Sequence, residues 1–210
     1  VLAYSSAIHR CICGVDVRGA APGTRETDLL DPVNTVQKVH AVVLSGGSAF
    51  GLESTCGVSQ YLEERNIGFE SGPCKVPIVV GAVLFDLAVG NYKIRPDKKM
   101  GYEACLNASE TELKQGNYGA GCGASVGKLR GAEYVTKSGI GSYSIKLDNG
   151  IVVSALVAVN ALGDVYENGE VIAGALNDNK TKCLNSYELM KQGVTKGGFS
   201  IDNTTIGIIA

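Results

Sequence analysis

The chain has 210 residues, a hydrophobic content of 45%, a charged content of 19% and a formal net charge of −2. This length and apolar content suffice for one ordinary folded domain and exclude a disordered chain. The small negative charge offers no basic surface to nucleic acid, and no apolar run reaches the roughly 18 residues that span a membrane, so neither partner is expected.

Cysteine usage points to a reducing compartment. The seven cysteines are an odd number without C-x-x-C spacing, and the two histidines do not complete a zinc pattern. We interpret the cysteines as free thiols, and no signal peptide is visible at the start of the sequence. A cytoplasmic location is therefore expected, with no metal ion and no other cofactor.

The first predicted element is a short strand over residues 12–17. A polar loop follows, with Pro-Gly as a turn signal and with charges at Arg18, Arg25, Glu26 and Asp28. These side chains could pair with one another, hold an interface between subunits, or simply be solvated.

Strands and helices then alternate. Apolar runs at residues 39–44 and 76–85 predict two buried strands, and a helix is predicted between them over about residues 49–65. Ser48 is the predicted N-cap of this helix. A second, shorter helix is predicted over residues 100–108.

The most glycine-dense segment is residues 116–128. Its end, Gly127-Lys128, resembles a Walker A loop, but Cys122 replaces the first glycine and Leu129 replaces the hydroxyl residue that would bind magnesium. Locally, the pattern predicts a flexible loop that presents Lys128 at the surface. A phosphate-binding loop remains the alternative.

From Gly139 onward the pattern is typical of β-structure. Alternation over residues 141–147, an Asp-Asn-Gly turn and an apolar run at residues 151–159 predict a hairpin. Asn160 follows at the end of the second strand, where its side chain could close a turn or offer a hydrogen-bond donor and acceptor. A helical turn is predicted over residues 186–191.

The last ten residues combine a polar turn, 202–205, with an apolar strand, 206–210. Cleavage of the Asn203–Thr204 bond would free a threonine that carries a hydroxyl nucleophile and its own amine base. On these residues alone, a turn before a strand is the commoner interpretation.

Several segments of the chain together resemble one family of hydrolases. In family order they are residues 14–27, 41–52, 75–78, 84–87, 95–97, 100–104, 119–128, 157–164 and 203–207. The set resembles the L-aminopeptidase/D-esterase (DmpA-type) family of self-processing hydrolases, which includes the nylon-oligomer hydrolases. No single segment is specific, but their order along the chain is.

This resemblance implies an α+β fold, an αββα sandwich that resembles the N-terminal-nucleophile hydrolases but differs from them in topology. It implies one domain over residues 1–210, composed of an α-chain portion, 1–203, and the first residues of a β chain, 204–210. The precursor is expected to cut itself between Asn203 and Thr204, so that the β chain begins with the nucleophile. The β chain of the same precursor and further copies of the molecule, tetrameric in common members, are the expected protein partners.

The resemblance also implies a set of catalytic residues. The family has an asparagine and a lysine from the α chain at its site, and these match Asn160 and Lys128. Asn160 is expected to orient the nucleophile or the oxyanion, and Lys128 to supply positive charge and a hydrogen bond near Thr204.

Three further residues are expected to line the site: Phe85, Gly121 and Cys122. Some family members use a tyrosine where this chain has Phe85, so a phenolic hydroxyl is not expected at that position. Cys122 is the cysteine that we would watch as a reactive thiol, because it lies in the glycine-rich loop.

The implied activity is that of an N-terminal-threonine aminopeptidase or amidase. After cleavage, the new α-amine has an ordinary pKa of about 7.7–8.0, so near neutral pH part of it can accept the hydroxyl proton of Thr204. An acyl-enzyme would then release N-terminal residues from small peptides, amino-acid amides or esters. The alternatives are a nucleotide- or phosphate-binding protein that uses the loop from Gly119 to Lys128, and a non-catalytic relative.

Overall fold

A computed structural model describes residues 2–5, 11–109, 113–194 and 203–210. The chain divides into two compact units. The first comprises residues 1–83 and 93–113, and the second comprises residues 84–92 and 114–210. Within the described residues, no helix has the length and apolar character needed to cross a membrane.

The first unit contains a four-stranded sheet and two packed helices. Its strands and α-helices are β1 (Leu2–Ser5), β2 (Cys11–Ile12), β3 (Thr24–Arg25), β4 (Lys38–Val39), β5 (Ala41–Ser45), α1 (Ser54–Glu63), β6 (Phe69–Glu70), β7 (Lys75–Val76), β8 (Val79–Val83) and α2 (Lys98–Leu106). The sheet order is β1-β5-β8-β3, with β5 and β8 parallel and the outer strands antiparallel to them.

The packing of apolar side chains in the core of this unit explains why these residues form strands and a helix. Strands β5 and β8 are almost entirely apolar and mostly buried, as expected for neighbouring parallel strands. Helix α1 packs Val58 and Leu62 against this sheet. Glycine permits a close approach of α1 to α2, since a Cβ at Gly57 would lie 1.9 Å from the carbonyl oxygen of Lys98.

The predicted helix over residues 49–65 is only partly confirmed. A 3₁₀ helix occupies Ser48–Glu53, and the α-helix begins at Ser54. The prediction of Ser48 as the N-cap was wrong, because Ser48 has a φ of +53° and lies inside the 3₁₀ helix, whose N-cap is Gly47. The turn before α1 is too tight for an α-helix, since a Cβ at Gly51 would lie 1.7 Å from the oxygen of Gly46.

The polar loop of the first unit also differs from its prediction. The strand expected over residues 12–17 ends at Ile12. The side chain of Ile12 is largely exposed, so a longer strand here would gain little stability from burial of apolar surface. Arg18 pairs with the nearby Asp16, and Arg25 donates hydrogen bonds to Thr55 and Cys56 on α1. The two arginines therefore make contacts within their own unit.

The second unit is built mainly from small antiparallel sheets. Its elements are β9 (Ser125–Val126), β10 (Thr136–Lys137), β11 (Ile140–Lys146), β12 (Val152–Asn160), β13 (Val165–Glu167), β14 (Glu170–Ala173), β15 (Ala175–Leu176), β16 (Cys183–Leu184), α3 (Ser186–Lys191) and β17 (Thr204–Ile209). The β11–β12 hairpin, its Asn-Gly turn and the helical turn at α3 are confirmed.

The largest sheet of this unit has the order β11-β12-β17. Strand β17 begins at Thr204, so the prediction of a polar turn through residue 205 was wrong for Thr204 and Thr205. Both threonines pair with the end of β12, where their branched side chains suit an extended backbone. Asp202, the first residue of that predicted turn, lies outside the described residues.

The two faces of this sheet have different environments. Toward the end of β12, one face carries the buried residues Ala158, Asn160 and Ile206. On the other face, Tyr143 is 73% exposed and Ile209 is 79% exposed. The described elements are several small sheets and few helices, which agrees with the α+β part of the predicted fold class.

Candidate active site

The carboxamide of Asn160 is the centre of a buried hydrogen-bond network. Asn160 ends β12 and is only 1% exposed. Its Oδ1 accepts hydrogen bonds from the backbone N–H of Ser125 (3.1 Å) and from Nζ of Lys128 (2.8 Å), while its Nδ2 donates to the backbone oxygen of Phe85 (2.8 Å). A buried amide needs such partners, and these three bonds fix its orientation.

Lys128 lies inside the protein and not at its surface. The residue is 8% exposed, and its Nζ also donates to the backbone oxygen of Asn160 (3.2 Å). The local prediction of a surface lysine was therefore wrong, whereas the pairing of Lys128 with Asn160 agrees with the resemblance. Burial of a lysine amine requires polar partners, and Asn160 supplies two oxygens.

The glycine before this lysine has a packing role. Gly127 has a φ of +72°, and a Cβ there would lie 2.0 Å from the backbone of Gly174 and Ala175. Its N–H donates to the oxygen of Gly163 (2.7 Å), and the N–H of Lys128 donates to the oxygen of Leu162 (2.9 Å). The Gly-Lys pair that resembles a Walker A loop thus binds the backbone that follows β12.

Thr204 lies directly opposite Asn160 across the sheet. The two residues are antiparallel Cα partners of β17 and β12. Directly opposed side chains lie on the same face with Cβ atoms about 4.5–5.5 Å apart. The half-buried Thr204 is therefore adjacent to the Asn160–Lys128 pair, whereas Thr205 is exposed and points to the opposite face.

Asn203 is also attached to the end of β12. Its Oδ1 accepts a hydrogen bond from the backbone N–H of Leu162 (3.0 Å). The two residues of the predicted cleavage site are thus bound to the same short segment, residues 160–162. A hydroxyl, a buried amine and an oriented carboxamide lie together at this end of the sheet, which is an arrangement suited to acyl transfer.

The three predicted lining residues differ in what they do. Phe85 contributes its backbone oxygen to Asn160. Gly121 is buried, and a Cβ there would lie 2.4 Å from the nitrogen of Ile140, which gives this glycine a packing role. Cys122 is exposed, and its thiol donates to the oxygen of Asn117 (3.0 Å), so it does not join the Asn160 network.

Sequence reasoning missed two residues that act through their backbone, Ser125 and Leu162. Their side-chain types carry no signal for this role, because every residue except proline has the same N–H group. Within the described part of the chain, no three His, Cys, Asp or Glu side chains lie close enough together to hold a metal ion.

The sequence of this chain is similar to those of several known proteins. An uncharacterized aminopeptidase of Mycobacterium tuberculosis (strain ATCC 25618 / H37Rv) is 47% identical over 203 residues, covering 93% of this chain and 57% of that protein. An uncharacterized aminopeptidase of Mycobacterium leprae is 40% identical over 206 residues, covering 93% of this chain and 55% of that protein. A 6-aminohexanoate-oligomer endohydrolase of Agromyces sp. is 33% identical over 136 residues, which are 64% of this chain and 38% of the enzyme.

The chain thus spans 55–57% of the length of the two mycobacterial relatives. The profile of peptidase family S58 matches residues 1–210. The resemblance drawn from the ordered sequence segments is confirmed by this match, and the chain belongs to peptidase family S58.

Proposed function

We propose that this chain belongs to a self-processing amidohydrolase whose nucleophile is Thr204. The observation that carries the proposal is the cross-strand pairing of Thr204 with Asn160, whose buried carboxamide is held by Lys128. Substrate hydrolysis by the cleaved protein needs no separate base, because an N-terminal threonine carries its own amine.

Self-processing breaks the Asn203–Thr204 bond. The Thr204 hydroxyl attacks the carbonyl carbon of Asn203 and its proton passes to the amide nitrogen, so that the C–N bond breaks, the nitrogen leaves as an amine, and an ester joins the two residues. Water then hydrolyses the ester, which leaves a carboxylate on Asn203 and a free hydroxyl on Thr204. Lys128 stabilises the negative charge that develops on the carbonyl oxygen, and Asn160 keeps the lysine amine in place.

Substrate hydrolysis repeats this chemistry with the new amine as the base. The α-amine of Thr204 accepts the proton of the hydroxyl, which attacks the substrate carbonyl and forms an acyl-enzyme. Protonation of the leaving amine and attack by water complete the cycle. The carboxamide of Asn160 already bonds Ser125, Lys128 and Phe85, which leaves one Nδ2 proton to donate. The main role of Asn160 is therefore to orient Lys128.

The proposed substrates are small peptides, amino-acid amides or esters from which an N-terminal residue is released. Two relatives are named aminopeptidases and a third is named an oligomer endohydrolase, and these names support hydrolysis of amide bonds. Phe85 lacks the hydroxyl of a tyrosine, so substrate selection at that position rests on apolar contact. The free cysteines of the described chain support a reducing, cytoplasmic location.

The proposed protein partners are the β chain of the same precursor and further copies of the molecule, up to a tetramer. The exposed apolar face of β11–β12–β17, which includes Tyr143, Ile145 and Ile209, offers the β chain a packing surface. An αββα sandwich is the proposed architecture of the complete protein, because a second layer on this face would bury it.

A matched pair of threonine variants tests the proposed nucleophile. Thr204→Ala should abolish hydrolysis of amino-acid amides, whereas Thr205→Ala, which changes the neighbour on the opposite face, should keep most of the turnover. Hydrolysis that persists in purified Thr204→Ala protein would disprove the assignment. Loss of hydrolysis in both variants would show that activity depends on an intact strand β17 and not on the Thr204 hydroxyl.

The geometry favours neither alternative function. A phosphate-binding loop presents its lysine to the ligand, but Nζ of Lys128 is buried against Asn160. A non-catalytic relative would have no need for a nucleophile opposite this pair, and the turnover measurement above distinguishes it from an enzyme.

A further inference from the structure

The side chain of Asn203 makes a contact that the proposed chemistry does not use. Its Oδ1 accepts the N–H of Leu162 at 3.0 Å. The oxygen of the same residue, Leu162, accepts the N–H of Lys128 at 2.9 Å. One backbone unit therefore connects the acyl side of the proposed scissile bond to the residue that carries the buried amine.

The ladder of the sheet cannot provide this connection. Strand β17 begins at Thr204, so the pairing with β12 starts on the amine side of the bond and does not include Asn203. Asn203 precedes the strand and is exposed, and its described attachment to the segment after β12 is made by its side chain. Without that bond, the peptide plane that contains the Asn203 carbonyl could turn about the N–Cα bond of Thr204, which would move the carbonyl relative to the Thr204 hydroxyl and Lys128.

We propose that Asn203 is a positioning residue for self-cleavage, which acts through Leu162 to align its own carbonyl with the Thr204 hydroxyl. This inference rests on the proposed function. What matters is the acceptor Oδ1, because Leu162 offers a donor. An aspartate at position 203 retains such an acceptor, whereas an alanine does not.

The same residue type could also cut the chain by a different reaction. The Nδ2 of an asparagine can attack its own carbonyl and expel the following amine, which leaves a C-terminal succinimide. Attack by the Thr204 hydroxyl leaves a free carboxylate, and the succinimide product is lighter by one water. The mass of the fragment that ends at Asn203 therefore identifies the nucleophile.

The test follows cleavage of the freshly translated full-length chain over time, by gel and by intact mass. Asn203→Ala should cleave about 10- to 100-fold more slowly than wild type, since misplacement of reacting groups by about 1 Å has effects of this size. Asn203→Asp should cleave within a few-fold of wild type. Asn149→Ala is the matched control, because it removes a similar bond, from Ile151 N–H to Asn149 Oδ1 (3.1 Å), in the hairpin, and it should cleave normally.

Two further readouts separate positioning from folding and from the proposed function. The melting temperature of Asn203→Ala should be measured in a Thr204→Ala background, where it should match that of Thr204→Ala alone. Turnover per cleaved molecule, which reports on the site after cleavage, should fall by much less than the cleavage rate does in Asn203→Ala. Normal cleavage in Asn203→Ala, or equally slow cleavage in Asn203→Asp, would overturn the inference while leaving Thr204 as the nucleophile. Cleavage of Thr204→Ala, or a succinimide product, would instead overturn the proposed function.

Discussion

At the scale of single residues, the site depends on two polar side chains that are buried together. An unpartnered lysine amine or carboxamide in a protein interior is costly, by about 1–3 kcal/mol or more for each group. Lys128 and Asn160 satisfy each other, and backbone groups of Ser125 and Phe85 complete the network. Such an arrangement has little value for stability alone, which favours a role in chemistry.

Replacement of Lys128 should therefore affect rate more than stability. Lys128→Met keeps the length of the side chain and removes the amine, so self-cleavage and turnover should fall by about 100- to 1000-fold. The melting temperature should shift by less than about 4 °C, because the desolvation of the amine is also removed. Lys137→Met is the control, since Lys137 bonds the oxygens of Cys122 and Ala124 and not Asn160. Rate assays with equal losses in both variants would contradict the assignment.

The residues of the site differed in how well they could be predicted. Thr204, Asn160 and Lys128 were predicted through the ordered family segments, and the structure brings the three residues together. The local pattern around Lys128 pointed to the surface, since no local signal reports that a distant strand end will bury it. Leu162 could not be predicted, because its contribution is a backbone N–H and C=O.

At the scale of elements, the turn at Gly127 determines where Lys128 lies. The positive φ and the close approach of Gly174 and Ala175 leave no space for a Cβ. The hairpin of β11 and β12 was predictable from alternation and from its Asn-Gly turn, both of which are local. The tight start of α1 was not predictable, because it depends on packing between Gly46 and Gly51.

Alanine substitutions at two glycines with positive φ separate the cost of backbone strain from the cost of steric overlap. Gly150 lies in the β11–β12 turn and Gly127 in the turn before Lys128. Gly150→Ala, at a φ of +87° with open space around it, should destabilise the protein by about 1–2 kcal/mol. Gly127→Ala adds a clash with backbone and should destabilise by at least about 3 kcal/mol, or prevent folding. Urea unfolding of both variants in a Thr204→Ala background measures the difference. Equal losses would mean that the contact with residues 174 and 175 is not tight.

At the scale of the whole molecule, the apolar face of β11–β12–β17 is the main feature that lacks a function within the described chain. Tyr143, Ile145 and Ile209 lie on this face and are 52–79% exposed. The sequence alternation predicts such a strand pair but cannot say what covers it, because the covering layer is distant in sequence or on another chain.

Adjacent substitutions on β11 test whether the β chain packs on this face. Ile145→Glu places a charge on the apolar face, so the two fragments of the cleaved precursor should co-purify less well than in wild type. Lys146→Glu changes the neighbouring residue on the opposite face and should leave co-purification unchanged. Size-exclusion chromatography of the cleaved protein gives the answer. Full association in Ile145→Glu would show that the fragments are held together without this face, as the pairing of β12 with β17 could do.

The central claim is that the Thr204 hydroxyl cleaves the Asn203–Thr204 peptide bond. Intact-mass spectrometry of the purified full-length protein tests it most directly. A Thr204 nucleophile predicts two fragments that meet between Asn203 and Thr204, the first with a free carboxylate and the second with an N-terminal threonine. It also predicts a single uncut chain for Thr204→Ala. A wild-type chain that stays intact, or that is cut at another bond, would contradict the account.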